Sequence, residues 1–273
     1  MKSMRLASLA MYATPQPLAD AKAELWSFLR YYLGQAGLSD PPENLDATIP
    51  YDEAWLHEDL LFSQTCGYPY VKRLRGRVRL VATPVYSHPG CDGPLMRSFI
   101  VVRRASTFVS VQDLRGATAA INSPDSNSGA NLLRAAVAPL ARNGRFFGGT
   151  VETGSHGGSI DAVSSGQAEC AAIDCITFAN LLRFTPARVA GIRVLAETPA
   201  TPGLPFITGA KGSDADVALL REALVAAIAE PSLSGARDTL GLVDVAMLTD
   251  ADYEPILSLA RGALGTGYRD WVD

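Results

Sequence analysis

Residues 122–134, NSPDSNSGANLLR, combine residue types whose spacing suits the binding of an anion. An apolar run ends here and an aliphatic helical pattern follows, so a helix is predicted to start inside the stretch. Free backbone N–H groups and the positive end of the helix dipole meet at such a start, which favours phosphate, phosphonate or carboxylate. Four residues form this candidate cradle: Ser126, Asn127, Ser128 and Gly129. An ordinary helix cap is the alternative, because Ser, Asp and Asn are the usual caps, and both roles can hold together.

A second candidate group lies in residues 153–174, TGSHGGSIDAVSSGQAECAAID. His156 is predicted to lie at a second helix N-terminus, beside glycines that leave space around it, and its imidazole can donate to an anion. A role in capping the helix or in satisfying a backbone group is the alternative. Asp174 is predicted at the carboxyl end of the next strand, where it can accept from a ligand hydroxyl or ammonium, or bond a loop backbone.

A third group contains Tyr12, predicted at the end of the first strand, and the residues after another strand, in SQTCGYPY. A tyrosine ring can form a rigid wall for a small ligand. Gln64, Thr65 and Tyr68 bring polar groups to the end of their strand. The alternatives are that Tyr12 packs on a nearby proline and that Gln64 bonds its own loop.

Composition narrows the classes of function. The chain has 273 residues, of which 48% are hydrophobic and 19% charged, which is enough for one large domain or two medium lobes. A net charge of -4 without a basic cluster argues against nucleic acid or an anionic membrane as a partner. No apolar run approaches the roughly 18 residues that span a bilayer. The sequence contains no G-x-S-x-G, H-E-x-x-H or P-loop motif and no C-x-x-C pair, so neither a metal nor a cofactor is predicted.

The four cysteines fall into two sets. Cys170 and Cys175 border an apolar strand and are expected to be buried thiols. Cys66 and Cys91 lie in loop-like contexts, and a disulfide between them is left open by the sequence.

The N-terminal segment MKSMRLASLAMYATP has a basic start, as a signal peptide does. Its apolar stretch is shorter than the usual 7–15 residues, roughly, and no clear cleavage site closes it. A first buried strand is therefore the favoured interpretation. The corresponding expectation is that an export signal has been removed or that the protein stays in the cytoplasm.

Alternating strands and helices must position these groups, and they predict α/β architecture with largely parallel sheets. Strands are predicted over 5–12, 59–65, 78–86, 97–104, 117–122, 149–154, 169–174, 193–198 and 204–209, and helices over 18–37, 52–58, 128–142 and 159–164, with a mainly helical C-terminal region. Crossings between lobes are predicted around 98–104 and 198–205. The predicted lobes are 1–98 plus 204–273, and an inserted lobe 99–203, with a ligand cleft between them at the carboxyl ends of strands.

Four motifs in matching order resemble the phosphate/phosphite/phosphonate-binding proteins of ABC importers, members of the type 2 periplasmic-binding-protein superfamily. The motifs are QTCGYP, DLRGATAAINSPDSNSG, GSHGGSIDAVSSGQAECAAID and LAETPATPGLPFIT, and the resemblance covers residues 12–208. It implies two α/β lobes joined by two hinge strands, with a small oxyanion trapped between them. On that pattern the 126–129 turn holds the phosphonate-type group, His156 and Tyr12 close on it, and Asp174 meets the ligand's other end. Asn127 stands where the family usually has Thr, a departure that bears on the preferred anion.

The resemblance implies a monomeric, non-catalytic solute-binding protein that delivers a small anion to the membrane subunits of an importer, in the periplasm. Two alternatives use the same fold. One is a cytoplasmic enzyme similar to those of the menaquinone or thiamine-pyrimidine pathways, with Cys66 or His156 as nucleophile or base. The other is a cytoplasmic sensor that reports ligand occupancy to a partner protein.

Overall fold

A computed structural model describes residues 5–268, and the chain forms two compact units. The first unit contains the chain up to Ser87, Asp92–Pro94 and Pro202–Tyr253. The second contains His88–Cys91, Leu95–Thr201 and the chain from Glu254.

Strands and helices alternate along much of the chain. The strands are β1 (Leu6–Ser8), β2 (Leu60–Gln64), β3 (Val78–Tyr86), β4 (Cys91–Asp92), β5 (Leu95–Met96), β6 (Ser98–Arg103), β7 (Thr118–Ile121), β8 (Gly149–Glu152), β9 (Cys170–Asp174), β10 (Ile192–Glu197), β11 (Thr201–Pro202), β12 (Phe206–Gly209) and β13 (Leu242–Ala246). The helices are α1 (Gln16–Gln35), α2 (Tyr51–Ala54), α3 (Gly67–Pro69), α4 (Leu132–Val137), α5 (His156–Ser165), α6 (Cys175–Phe184), α7 (Asp214–Ala229), α8 (Ser234–Leu240) and α9 (Glu254–Gly265). Wider or tighter helical turns lie at Tyr70–Leu74, Val111–Leu114, Asn127–Asn131, Ala138–Leu140, Pro186–Arg188 and Pro231–Leu233.

The first unit is built on a sheet with strand order β1-β2-β12-β3-β13. β1 runs parallel to β2, whereas β12 is antiparallel to β2 and β3, and β13 is antiparallel to β3. Helix α1 buries a leucine stripe at helical spacing and contacts α7 and α8, which fixes the segment just before it. The helix ends before Gly37, whose φ of 89° is the left-handed conformation that glycine adopts readily.

The second unit is built on a sheet with strand order β10-β6-β9-β7-β8. β7 runs parallel to β8 and β9, whereas β6 is antiparallel to β9 and β10. Buried side chains of β6, β7, β9 and α4 form its core, among them Ile100, Ile121 and Leu133. The carboxyl ends of β7 and β8 lead directly into the two candidate segments of this unit, and β9 ends the second segment at Asp174.

The predicted α/β class is confirmed, but the prediction of largely parallel sheets is wrong. Parallel pairing is limited to β1–β2, β7–β8 and β7–β9 among the strand pairs of these two sheets. The connectivity explains the difference. β3 is formed before the chain leaves the first unit and β12 after it returns, and these neighbouring strands run in opposite directions. In the second unit β6 is formed after the chain enters and β10 before it leaves, and these neighbours are antiparallel as well.

The division of the chain also differs from the predicted lobes. Residues 98–104 were expected to cross between lobes, yet Ser98–Arg103 forms β6 inside the second sheet, because its apolar side chains are buried there. The C-terminal region, expected in the first lobe, contributes α9 to the second unit. The buried face of α9 includes Ala260 and Ala263, and α9 contacts α4.

Several elements begin or end at residues other than those predicted from the sequence, for local reasons. The single helix predicted over 128–142 consists of a wide turn, α4 and a tight turn containing Pro139, which has no N–H to continue α4. Helix α5 begins at His156, earlier than predicted, since Ser155 caps it. β1 ends at Ser8 rather than at Tyr12. α6 and β13 were not predicted.

Candidate functional site

Ser126 caps the wide turn that precedes α4. Its Oγ accepts the N–H of Gly129 at 3.1 Å, so the cap interpretation holds for this serine. The Asn127 side chain donates to Thr201 Oγ1 at 3.0 Å and accepts from Asn131 Nδ2 at 3.0 Å. The side chains of Ser126 and Asn127 therefore shape the turn through bonds within the protein.

Gly129 is needed for close packing inside the second unit. A Cβ atom at this position would lie 1.7 Å from Oδ1 of Asn122. The glycine therefore makes room for the Asn122 side chain, which follows β7.

Ser128 and His156 form the centre of the site. Ser128 Oγ lies 2.8 Å from His156 Nε2, and the same nitrogen lies 3.1 Å from Asp174 Oδ2. The other carboxylate oxygen of Asp174 accepts the N–H of Thr177 at 2.8 Å and so caps α6. Buried Ser98 donates its hydroxyl to the Ser128 carbonyl at 2.9 Å and fixes the turn from the neighbouring strand. We call Ser128, His156 and Asp174 the hydroxyl–imidazole cluster.

Burial controls the charge of the cluster. It lowers the pKa of His156 below 6.5, although the Asp174 carboxylate and the Ala172 carbonyl act in the opposite direction. The imidazole is therefore mainly neutral near pH 7. An anion beside it would favour the protonated form and raise that pKa, so the cluster can respond to ligand charge.

The cluster does not have the geometry of a nucleophilic Ser–His–Asp triad. In a triad the serine faces one imidazole nitrogen and the carboxylate holds the other. Here both Ser128 and Asp174 face Nε2 of His156. The arrangement suits donation to a bound oxyanion better than proton relay from serine to histidine.

Tyr12, a candidate of the first unit, lies in a turn after β1. Its φ is 57°, and its ring makes an edge-to-face contact with Tyr86 at a centroid distance of 6.3 Å. The Lys22 ammonium lies 5.9 Å from the Tyr12 ring centroid and bonds the carbonyl oxygens of Leu9 and Met11. Burial lowers the pKa of Lys22 to about 7. A buried lysine of α1 thus holds the backbone that presents Tyr12.

Gln64 is the last residue of β2 and Thr65 follows it, and both are buried. The Gln64 amide donates to the Leu204 carbonyl at 3.1 Å and lies 3.4 Å from the Tyr86 hydroxyl. Thr65 donates its hydroxyl to the Cys66 carbonyl at 3.3 Å. The polar groups of both candidates are thus bonded mainly to backbone.

The other residues of the third predicted group are also packed within the first unit. Tyr68 is buried, and Lys72 lies over its ring at 5.1 Å. Cys66, the candidate nucleophile of the enzyme alternative, has its sulfur 3.8 Å from Met11 Sδ. Cys91 contacts Cys175 in the second unit at an Sγ–Sγ distance of 3.5 Å, rather than the Cys66 considered from the sequence.

Three positioning residues escaped sequence reasoning: Ser98, Thr201 and Lys22. Ser98 and Thr201 act on the 126–129 turn from strands distant in sequence, and no local motif identifies such contacts. Lys22 offered one signal, since it belongs to the buried stripe of α1 where a charged residue is unusual. Between residues 5 and 268 no three His, Cys, Asp or Glu side chains gather as a metal site requires, and no helix is long and apolar enough to cross a bilayer.

Two α/β units with ligand-type residues at strand ends define the class of type 2 periplasmic binding proteins. A binding-protein component of an ABC phosphonate transporter from Pseudomonas aeruginosa has this fold, with a TM-score of 0.75 at 17% identity over 97% of this chain and 88% of that one. PhnD1 from Prochlorococcus marinus, solved with methylphosphonate, has a TM-score of 0.75 at 17% identity over 96% of this chain and 98% of that one. The aliphatic sulphonate binding protein SsuA from Escherichia coli has a TM-score of 0.56 at 17% identity over 97% of this chain and 85% of that one. These likenesses confirm the predicted fold class.

The family follows from the sequence itself. Residues 53–253 match the family described as ABC transporter, phosphonate, periplasmic substrate-binding protein. The chain therefore belongs to the periplasmic substrate-binding proteins of phosphonate ABC transporters, as its four motifs predicted. No curated protein sequence matches it. The members of this family bind substrates for importers and are not enzymes, which confirms the binding-protein prediction over the enzyme alternative.

Proposed function

We propose that this protein binds a small phosphonate-type oxyanion at its hydroxyl–imidazole cluster and delivers it to the membrane subunits of an importer. The observation that carries the proposal is the meeting of Ser128 and His156, each at the start of a helical segment, at 2.8 Å. Family membership supports the same class of ligand. The proposal includes a periplasmic location and a monomeric state.

The chemistry of the cluster favours an oxyanion with a separate second group. The Ser128 hydroxyl and the His156 imidazole can both donate to phosphonate oxygens. The buried Asp174 carboxylate would repel an anion in direct contact, so we assign it to a cationic or hydroxyl group at the ligand's other end. An aminoalkylphosphonate combines these features.

The remaining predicted residues enter the proposal with different roles. Ser126, Asn127 and Gly129 shape the turn. The backbone N–H groups of Asn127 and Ser128 are the proposed contacts to the anion, since those of Ser126 and Gly129 are bonded to the Ser123 carbonyl and to Ser126 Oγ. Tyr12, Gln64 and Thr65 remain proposed ligand residues of the first unit, to be tested separately from the cluster.

Ligand-induced thermal stabilisation tests the proposal. The panel contains phosphate, phosphite, methylphosphonate, 2-aminoethylphosphonate, sulfate and acetate. A ligand at a hundredfold excess over its dissociation constant adds about 2.7 kcal/mol to the free energy of unfolding, an easily measured shift. We expect the largest shift with a phosphonate, and Ser128→Glu should abolish it by placing a carboxylate where the anion binds.

Ser164→Glu is the matched control, because Ser164 lies exposed on α5 in the same unit. It should keep the ligand shift. Phosphonate stabilisation that survives in Ser128→Glu would contradict the site, and a flat response of the unmodified protein to every phosphorus oxyanion would contradict the ligand class.

A further inference from the structure

Two cysteines outside the anion cluster lie close enough to react with each other. Cys91 is half-buried in β4, and Cys175 is the buried first residue of α6. Their sulfur atoms are 3.5 Å apart although the residues are 84 positions apart in sequence. This separation needs only a small closure to reach the roughly 2.05 Å of a disulfide bond.

The residue before Cys91 makes this approach possible. Gly90 has a φ of 92°, and a Cβ atom there would lie 2.6 Å from Cβ of Cys175. A side chain at this position would push the two segments apart. The backbone is thus specialised for a close approach between the Cys91 segment and the start of α6.

We propose that Cys91 and Cys175 form a reversible intramolecular disulfide by exchange with an external disulfide. Cys91 as thiolate attacks one sulfur of the external disulfide, giving a mixed disulfide and releasing one thiol. Cys175 then loses its proton to solvent and attacks the Cys91 sulfur, so that a second thiol leaves. Two protein thiols are oxidised, and one external disulfide is reduced to two thiols.

The electrostatics of the pair agree with this order of attack. The pKa of Cys91 is lowered, chiefly by the hydrogen bond with Cys175, while burial opposes the shift. The same bond, burial and the charge of Asp174 raise the pKa of Cys175. Cys91 is also the more exposed of the two, so an external disulfide reaches it first. The periplasm, where the family acts, is an oxidising compartment.

Peptide mapping of the oxidised protein is the test. Fully reduced protein is incubated with oxidised glutathione, alkylated, digested with trypsin without reduction and analysed by mass spectrometry. We expect peptide 80–97, with Cys91, to be linked to peptide 146–183, with Cys170 and Cys175, while the four thiols fall to two. The melting temperature should rise by about 5 °C or more, because the bond closes a long loop.

Single Cys→Ser substitutions identify which two cysteines form the disulfide. Cys170→Ser should retain the linked peptides, and Cys66→Ser should still lose two thiols. Cys91→Ser should yield no linked peptide, and Cys91 is exposed enough for this variant to fold even if Cys175→Ser does not. Four thiols persisting in the folded protein, or a link from peptide 80–97 to the Cys66 peptide 31–72, would overturn the proposal.

Discussion

The two units hold their candidate ligand residues in different ways. In the second unit, Ser128, His156 and Asp174 are linked to one another by side-chain contacts of 2.8 and 3.1 Å. In the first unit, Gln64 donates to a backbone carbonyl, and Tyr12 is presented by backbone that a lysine holds. Bonds between side chains can be rearranged when a ligand arrives, whereas bonds to backbone keep a side chain in place. The candidate residues of the second unit are therefore expected to respond to a ligand more readily than those of the first unit.

The largest effect is expected at Lys22, and it tests whether the Tyr12 segment of the first unit is held by a buried amine. Burial lowers its pKa to about 7 in the folded protein, whereas an unfolded lysine titrates near 10.4. Between these values the unfolded chain binds a proton that the folded protein does not, so stability rises with pH. We expect a gain of about 3 kcal/mol in the free energy of unfolding from about pH 7 to pH 9.5, measured by urea denaturation.

Lys22→Met should remove this gain, because methionine has no proton to lose. Lys72→Met is the matched control, since Lys72 is exposed in the same unit, and it should retain the slope. Equal slopes for the unmodified protein and Lys22→Met would show that another group controls alkaline stability and that Lys22 does not anchor the Tyr12 segment as a buried amine.

A smaller effect is expected at Asp174, which links the cluster to the fold of the second unit. Asp174→Ala removes the cap of α6 and the contact to His156, and should lower the free energy of unfolding by about 1–2 kcal/mol. Asp174→Asn keeps a capping oxygen and should cost less than about half of that. Thermal or urea unfolding measures both changes.

Asp161→Ala controls for the loss of a carboxylate in the same unit. Asp161 pairs with Arg188 at 2.6 Å but is 57% exposed, so its loss should change stability by less than about 0.5 kcal/mol. If Asp174→Ala is as mild as this control, the cap and the contact to His156 contribute little, and the two units do not differ in the way described.

Local signals explain what could be predicted of this site. The start of the helical segment after β7 follows from Ser126, because a serine before a helical pattern is a cap signal that requires no knowledge of tertiary structure. Ser155 gives the same signal before α5, although the helix there was predicted only from residue 159. Asp174 was likewise placed correctly at the end of β9 by its apolar run. His156 and Asp174 were assigned separate roles from the sequence, and their contact is a result of the packing of α5, which begins at His156, against β9, which ends at Asp174.

Tertiary pairing explains what could not be predicted. Ser98 opens an ordinary apolar strand, and its function appears only when β6 pairs with β9, with Ser98 opposite Asp174. Cys91 resembled Cys66 in its loop-like context and differed from Cys175 beside a buried strand, and sequence spacing does not show that Cys91 lies next to Cys175. The packing role of Gly129 was also not predictable, because the neighbour that requires it, Asn122, is brought against it only by the folded turn.

The smallest effect is expected at His156, and it tests whether the cluster of the second unit changes its protonation when an anion binds. Burial lowers the pKa of His156 in the ligand-free protein, and a bound anion should raise it. Binding then takes up a proton, so anion affinity should weaken as pH rises, by up to about tenfold for each unit that separates the bound and free pKa values. Calorimetric titration with methylphosphonate and with methanesulfonate, between about pH 5 and pH 8, measures this slope, and the sulfonate removes the contribution of ligand titration.

His156→Gln should bind more weakly and without the pH slope, since the amide can donate but does not titrate in this range. Lys22→Met should retain the slope, because the contacts of Lys22 are to Leu9, Met11 and the Tyr12 ring and not to the cluster. A profile that is flat for both ligands in the unmodified protein would remove the protonated imidazole from the binding mechanism. The anion would then be held by the Ser128 hydroxyl and the backbone N–H groups of the turn alone, and the second unit would be as fixed as the first.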